Sequence, residues 1–296
     1  MSAHLVIHDG SPWWESPDIW VVPGNDPNGP PGSPITGLSA YMWARVSNVG
    51  NVSVQGCRID FYWANPSAQM VVGVATFVGS AYADLDPSET QDVLCLVPWI
   101  PVMVNGGHEC VLAVVHGAGD TSPIPDPLPN GYAFDPPSHD QIAQLNLSVL
   151  DAAMLEIPQT LFVNATRREA KDTVVAIEFG QEVNERVLAN LGVRDLRPTR
   201  GKHVAASLSL EARCHEKHDE HGTRELKVHV PRGGLVPVFV SLHARDLPDE
   251  QYQLVRVVER NDGKLMGGVS YLVANRYKRR STARTQRSKR ARRSKT

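Results

Sequence analysis

The sequence predicts an all-β chain: two tandem antiparallel β-sandwich domains followed by a disordered basic tail. Three observations carry this. Apolar and polar residues alternate with period two through one segment after another, as in half-buried strands. The 23 Gly and 22 Pro of the 296 residues fall largely between those segments, where turns need them. Composition also changes near residue 150: all six Trp and 17 of the Pro precede it, and the first Lys is Lys171. A chain of this length has room for two domains.

Taken in order, residues 9–34 are a Trp/Pro-rich segment carrying Trp13, Trp14 and Trp20. Rigid aromatic rings offer contact area, so these three are candidates for a binding surface. The favoured expectation is a lid packed on the first sandwich, because exposed Trp clusters invite aggregation. The run Leu38–Val46 alternates, Asn48-Val49-Gly50-Asn51 is a turn, and the next strand separates two faces. Gln55, Cys57, Ile59, Phe61 and Trp63 lie on one face; Arg58, Asp60 and Tyr62 lie on the other. Further strands are expected near 70–78, 91–98, 109–116 and 141–150. The Pro-rich stretch 117–139 cannot be helical. Its Asp120, Asp126 and Asp135 are oxygen donors suited to Ca²⁺, but without EF-hand spacing, so a solvated loop is the expectation.

In the second half, strands are expected near 159–166, 173–180, 203–213, 224–230, 234–243, 251–260 and 265–274. Gln181–Leu191 is the one short helix, with Gly192 as its stop. Asp262-Gly263 marks a hairpin turn. The proposed division is 1–35 (N-terminal segment), 36–152 (first sandwich), 153–275 (second sandwich) and 276–296 (tail).

One resemblance follows from these residues. Val46-Ser47-Asn48-Val49-Gly50, preceded by Trp43-Ala44-Arg45 and followed by Ile59-Asp60-Phe61-Tyr62, resembles the opening of a CARDB-type module. That is a bacterial immunoglobulin-like sandwich with a V-x-N-x-G turn and a strand ending in an F/L-Y pair. His108–Val114 is similar to its later strand and Asp140–Leu147 to its closing strand, without the family's usual double Asn. The resemblance spans about 36–150. It implies an immunoglobulin-like fold and a protein-binding or adhesive role in a module usually found outside the cell. It says nothing of the second half.

Charge is partitioned. Residues 1–150 hold 14 acids against Arg45 and Arg58, a net of −12; residues 151–275 are near neutral; residues 276–296 hold 11 basic residues and no acid. The tail cations Lys278, Arg279, Arg280, Arg284, Arg287, Lys289, Arg290, Arg292, Arg293 and Lys295 are spaced by Ser, Thr and Ala, which cannot form a core. They suit nucleic acid read without sequence preference, anionic lipid or an acidic protein surface, and they make self-association with the acidic half an open outcome.

Enzymatic motifs are missing: there is no P-loop, no dinucleotide fingerprint and no nucleophile elbow. His215-Glu216-Lys217-His218 misses the H-E-x-x-H spacing. Cys214, His215, His218 and His221 are the best metal-ligand candidates, suited to Zn²⁺, Cu²⁺ or Ni²⁺, with an exposed polar loop as the favoured alternative. Cys57, Cys95 and Cys110 sit within apolar strand patterns and read as buried thiols of a reducing compartment. The first residues lack the pattern of a secretion signal, so the expectation is cytoplasmic, with non-standard export left open. No apolar run is long enough to span a membrane.

The expectation is therefore a non-catalytic structural or protein-interaction module, needing no cofactor. A sequence-independent nucleic-acid accessory protein or a carbohydrate-binding module are the alternatives. A metal-dependent hydrolase ranks last.

Overall fold

The computed structural model describes residues 2–65, 70–102, 109–154, 157–165, 169–211 and 223–276. The first half forms β1 (Leu5–Val6), β2 (Ile19–Pro23), β3 (Ala40–Asn48), β4 (Val54–Ala64), β5 (Thr76–Leu85), β6 (Thr90–Leu94), β7 (Cys110–His116) and β8 (Ile142–Leu145). Then come β9 (Leu147–Asp151), β10 (Ile157–Asn164), β11 (Lys171–Gly180), α1 (Glu185–Asn190), β12 (Arg197–Pro198) and β13 (Val204–Ser209). The chain closes with β14 (Glu225–Val230), β15 (Leu235–Ala244), β16 (Gln251–Asn261) and β17 (Lys264–Asn275). The chain is all-β with antiparallel sheets, as expected.

Strands β1, β2 and β6 pair with β3 in one sheet, which faces a second of order β5-β4-β7-β8. Leu5, Ile19, Met42 and Val46 of the first sheet bury against Cys57, Ile59, Phe61 and Val115 of the second. In the second half, the sheet β10-β15-β13 closes over β14-β11-β16-β17-β9 around Leu161, Val175, Val240, Val257 and Tyr271. Among the strands of the described residues, β12 on β16 and β9 on β17 pair in parallel.

Several expected elements differ. The strand expected at 141–150 is two: β8 completes the first half's sheet, and β9 hydrogen-bonds to β17 of the second. Asn146 lies between them, donating from Nδ2 to the Gly268 carbonyl at 2.8 Å and accepting from the Cys110 thiol. A polar residue with no exposed surface, satisfied on both sides, turns the chain from one sheet to the other. The strand expected at 70–78 begins only at Thr76. Gly73 adopts φ +94°, and residues 70–75 instead hydrogen-bond with the Pro-rich loop, Val72 N–H to Tyr132 and Phe134 N–H to Met70. The strand expected at 91–98 stops as β6 at Leu94, and that at 203–213 ends as β13 at Ser209. The short helix is α1, capped by the Asn184 side chain, which accepts from Arg186 N–H at 2.8 Å.

The stretch 117–139 is not the solvated loop expected of it. It folds over the outer face of the second sheet, burying Ile124 and Phe134 against Tyr62, Leu112, Val114 and Ile142. Arg58 anchors this flap through Asp126. The first half thus has three layers, which is why every residue of β7 is buried although its side chains point both ways.

The segment holding Trp13 and Trp14 lies against both halves. Residues 14–16 run along the free side of β8, Ser16 N–H donating to Gln144 and Asn146 N–H to Trp14. Trp14 is 1% exposed; its indole N–H donates to Ser270 Oγ of β17 at 3.0 Å. Ser270 in turn donates to Glu15, which accepts a bidentate pair from Arg256 at 2.7 and 3.0 Å. Asp18 accepts from Arg186 of α1 and stands 2.8 Å from His8. The first core also takes in Val187, Leu188, Tyr252 and Leu254 from the second half.

Candidate interaction surface

The three tryptophans proposed as a binding surface are not brought together as one. Trp14 is buried, Trp13 is half-buried edge-on to it at 5.3 Å, and Trp20 stacks on Trp43 at 5.8 Å with the Arg45 guanidinium over its ring. Trp14 therefore cannot serve as a stacking platform for a sugar ring. Asp120, Asp126 and Asp135 are not gathered around a common point either: Asp126 pairs with Arg58, and Asp120 accepts from Leu5 and Ser122 N–H groups. Among the described residues, no group of three or more His, Cys, Asp or Glu is placed to hold a metal ion. Cys214, His215, His218 and His221, and the tail cations from Lys278 to Lys295, lie outside the described residues. Cys57, Cys95 and Cys110 are buried free thiols; burial pushes the Cys57 thiol up to about 11. No helix among the described residues is long and apolar enough to cross a membrane.

Under the flap, Asp60, Ser80 and His116 come together in an order that does not make a catalytic relay. Ser80 donates to Asp60 Oδ1 at 2.6 Å, and His116 Nε2 stands 3.4 Å from Asp60 Oδ2. A serine nucleophile needs the imidazole between itself and the acid; here the acid lies between the other two. Burial pushes the Asp60 carboxyl up, but contacts from His116, Ser80 and Arg58, with the Arg58 charge, outweigh it and hold it below the usual carboxylate range. A carboxyl depressed by folding contributes stability above its ordinary value and loses it as pH falls through the folded value. We expect Asp60→Asn to flatten the acid limb of a denaturation profile, with the wild type losing stability as pH falls through and below the ordinary carboxylate range.

What the sequence reading missed is an apolar surface along one open side of the first sandwich. Strand β5 ends its sheet. From it project Phe77 (53% exposed) and Tyr82 (67%); beside it run Leu96 (74%), Val97, Ile100 (58%) and Val102. Val97 covers Gly79 so closely that an added Cβ would sit 2.7 Å from its Cγ2. Exposed Ile35 and Leu38 join this surface through hydrogen bonds of Gly37 N–H to Pro101 and Ala40 N–H to Trp99. A signal was present: the run Leu94–Val104 holds no polar residue.

At the rim, Glu109 is buried and accepts from Val102 N–H at 2.9 Å; burial pushes its carboxyl up to about 7. A carboxyl raised by folding leaves stability intact below its ordinary value and removes it as pH rises toward the folded value. We expect Glu109→Gln, which keeps the acceptor, to match the wild type at pH 4 and exceed it by up to about 3 kcal/mol at pH 8, measured by chemical denaturation. Equal stabilities at pH 8 would show the carboxyl to be solvated.

No family model matches this sequence, and no curated protein does. Solved structures similar to it include the CARDB domain of the PF1109 protein from Pyrococcus furiosus, solved in complex with di-metal ions. It is 13% identical over 49% of this chain and 85% of that one, with a TM-score of 0.27. Red sea bream transglutaminase matches at 9% identity over 88% of this chain and 32% of its own, TM-score 0.22. CBD12 from CALX1.2 matches at 10% over 76% of each chain, TM-score 0.20. A CARDB domain thus stands among the solved structures similar to this chain, as the residues between 36 and 150 suggested. At these scores the likenesses carry no statement about activity.

Proposed function

We propose that this chain is a non-catalytic protein-interaction module that presents the open side of its first sandwich to a protein partner. The observation that carries this is the set of exposed apolar side chains on and beside β5, Phe77, Tyr82, Leu96, Val97, Ile100 and Val102, since solvated faces seldom keep so many without a partner. The test is capture from cell extract on immobilised full-length protein, with Leu96→Lys as the comparison. A protein retained by the wild type and lost on Leu96→Lys supports the reading; equal retention overturns it.

The tail is proposed to contact a polyanion or acidic protein surface, with charge as its only support. Deleting 276–296 is expected to abolish salt-sensitive retention on DNA while leaving the melting temperature nearly unchanged. Retention that survives the deletion removes the tail's role. The spans 1–152, with β1 and β2 of the N-terminal segment in the first sheet, and 153–275 are proposed as separately folding units. Separate expression with thermal melts tests this. Moving the boundary so that the second piece starts at 147 should raise its melting temperature, because β9 supplies a strand to its sheet.

A further inference from the structure

We infer that the partner seated on the β5 edge is a second copy of this chain, the two β5 strands pairing antiparallel across a two-fold axis. This rests on the interaction-module reading and names its partner.

An edge strand is a ready template for another strand unless it is shortened, charged, broken by Pro or covered. Most other edges here carry such a device. The free side of β8 is taken by residues 14–16, and that of β2 by Gly32, whose N–H donates to Val21. Strand β10 contains Pro158; β14 carries Glu225, Lys227 and His229. Strands β6 and β9 are five residues each, and Asp92 of β6 is clamped by Arg45. Strand β13 is bridged to Thr223. Strand β5 differs: it has ten residues, and none from 76 to 83 is charged or Pro. A bulge bends it between its pairings with Phe61 and Tyr62, which leaves Gly79–Ala83 in regular register.

Area decides for a second copy, and charge does not forbid it. The first half carries a net of −12, which opposes pairing two of them. The nearest acid on the strand is Asp84, however. In an antiparallel pair centred on Ala81 the two Asp84 residues stand six positions apart, about 20 Å at 3.3 Å per residue. That is well beyond the screening length of roughly 8 Å at physiological salt. Small residues, Ser80, Ala81 and Ala83, flank Tyr82 at the centre, on the side of β5 that pairs with no strand. The exposed apolar side chains from Ile35, Leu38, Phe77, Tyr82 and 96–102 together offer on the order of 800 Å², one partner's share of a standard interface.

The same charges give a signature. Pairing through an apolar edge between two acidic bodies should strengthen as salt rises, whereas association through the basic tail should weaken. The experiment is sedimentation of the full-length chain over a concentration series at 0.15 and 0.5 M NaCl, with amide exchange of residues 76–83. The comparison variant is Tyr82→Lys/Leu96→Lys, two side chains that stand mostly in solvent and whose change should leave the melt nearly unaltered. We expect a dimer at both salts, at least as tight at the higher, with β5 amides protected in step with dimer formation. The variant should dimerise at least tenfold more weakly. A chain that stays monomeric throughout, or a dimer whose β5 amides exchange as in the monomer, overturns the inference. Protein capture that depends on Leu96 in a monomeric chain would retain the module reading and lose the second copy; loss of both would remove the surface altogether.

Discussion

Trp14→Ala is expected to destabilise the protein by about 3–5 kcal/mol, as full truncation of a buried aromatic does. That is a large part of the roughly 5–15 kcal/mol that holds a typical domain. The reason lies in where the ring sits. Trp14 is 1% exposed and packs on the bare backbone of Gly268, where an added Cβ would lie 2.6 Å from the indole Cζ2. Its loss leaves a cavity between the halves and removes a donor from Ser270, the hydroxyl that also serves Glu15. Trp14→Phe should cost less, because it keeps most of the ring and loses the N–H. Gly268→Ala should cost about 1–3 kcal/mol from the other side, by overpacking the same contact. Urea denaturation of the three variants checks the order. A Trp14→Ala protein within 1 kcal/mol of wild type would show that the ring is not what fills the junction.

Lys171→Met is expected to cost about 3–5 kcal/mol, because it leaves a buried carboxylate without its counter-charge. Glu259 has no exposed surface, and Lys171 Nζ stands 2.6 Å from its Oε1 at the end of the second core. Removing both charges together is a different matter. Lys171→Met/Glu259→Leu replaces the pair with apolar volume and should fall near wild type or above it, since desolvating two ions offsets most of their attraction. Chemical denaturation of both variants separates the cases. A single variant with wild-type stability would mean water reaches Glu259. A double variant as damaged as the single one would mean the loss is one of packing.

These two sites show what the sequence reading reached and what it did not. The faces of β4 were legible: Cys57, Ile59 and Phe61 point into the first core, and Arg58, Asp60 and Tyr62 to the other side, as alternation required. What covers the second face was not legible, because its residues are polar or amphipathic. In the fold they meet the Pro-rich flap, through Arg58 with Asp126 and Tyr62 with Phe134. The sequence offered Trp14 as part of a lid or of a free surface; its partner Ser270 is 256 residues away and nothing local names it. The apolar run from Leu94 was visible in the sequence, yet an apolar run at a strand end looks the same whether it faces a core or water.

By itself the sequence determined the strand class, the turn positions, the partition of charge and the face on which each side chain of a strand stands. All of these follow from interactions within a few residues: the two-residue repeat of extended backbone, the freedom of Gly, the fixed φ of Pro. The tertiary structure alone decided which edges pair, that β8 and β9 separate at Asn146 into different sheets, that the flap makes a third layer, and that β5 ends its sheet. Those outcomes depend on shape and hydrogen-bond complementarity between segments far apart in the chain. Alternation states that a face must be buried without stating against what.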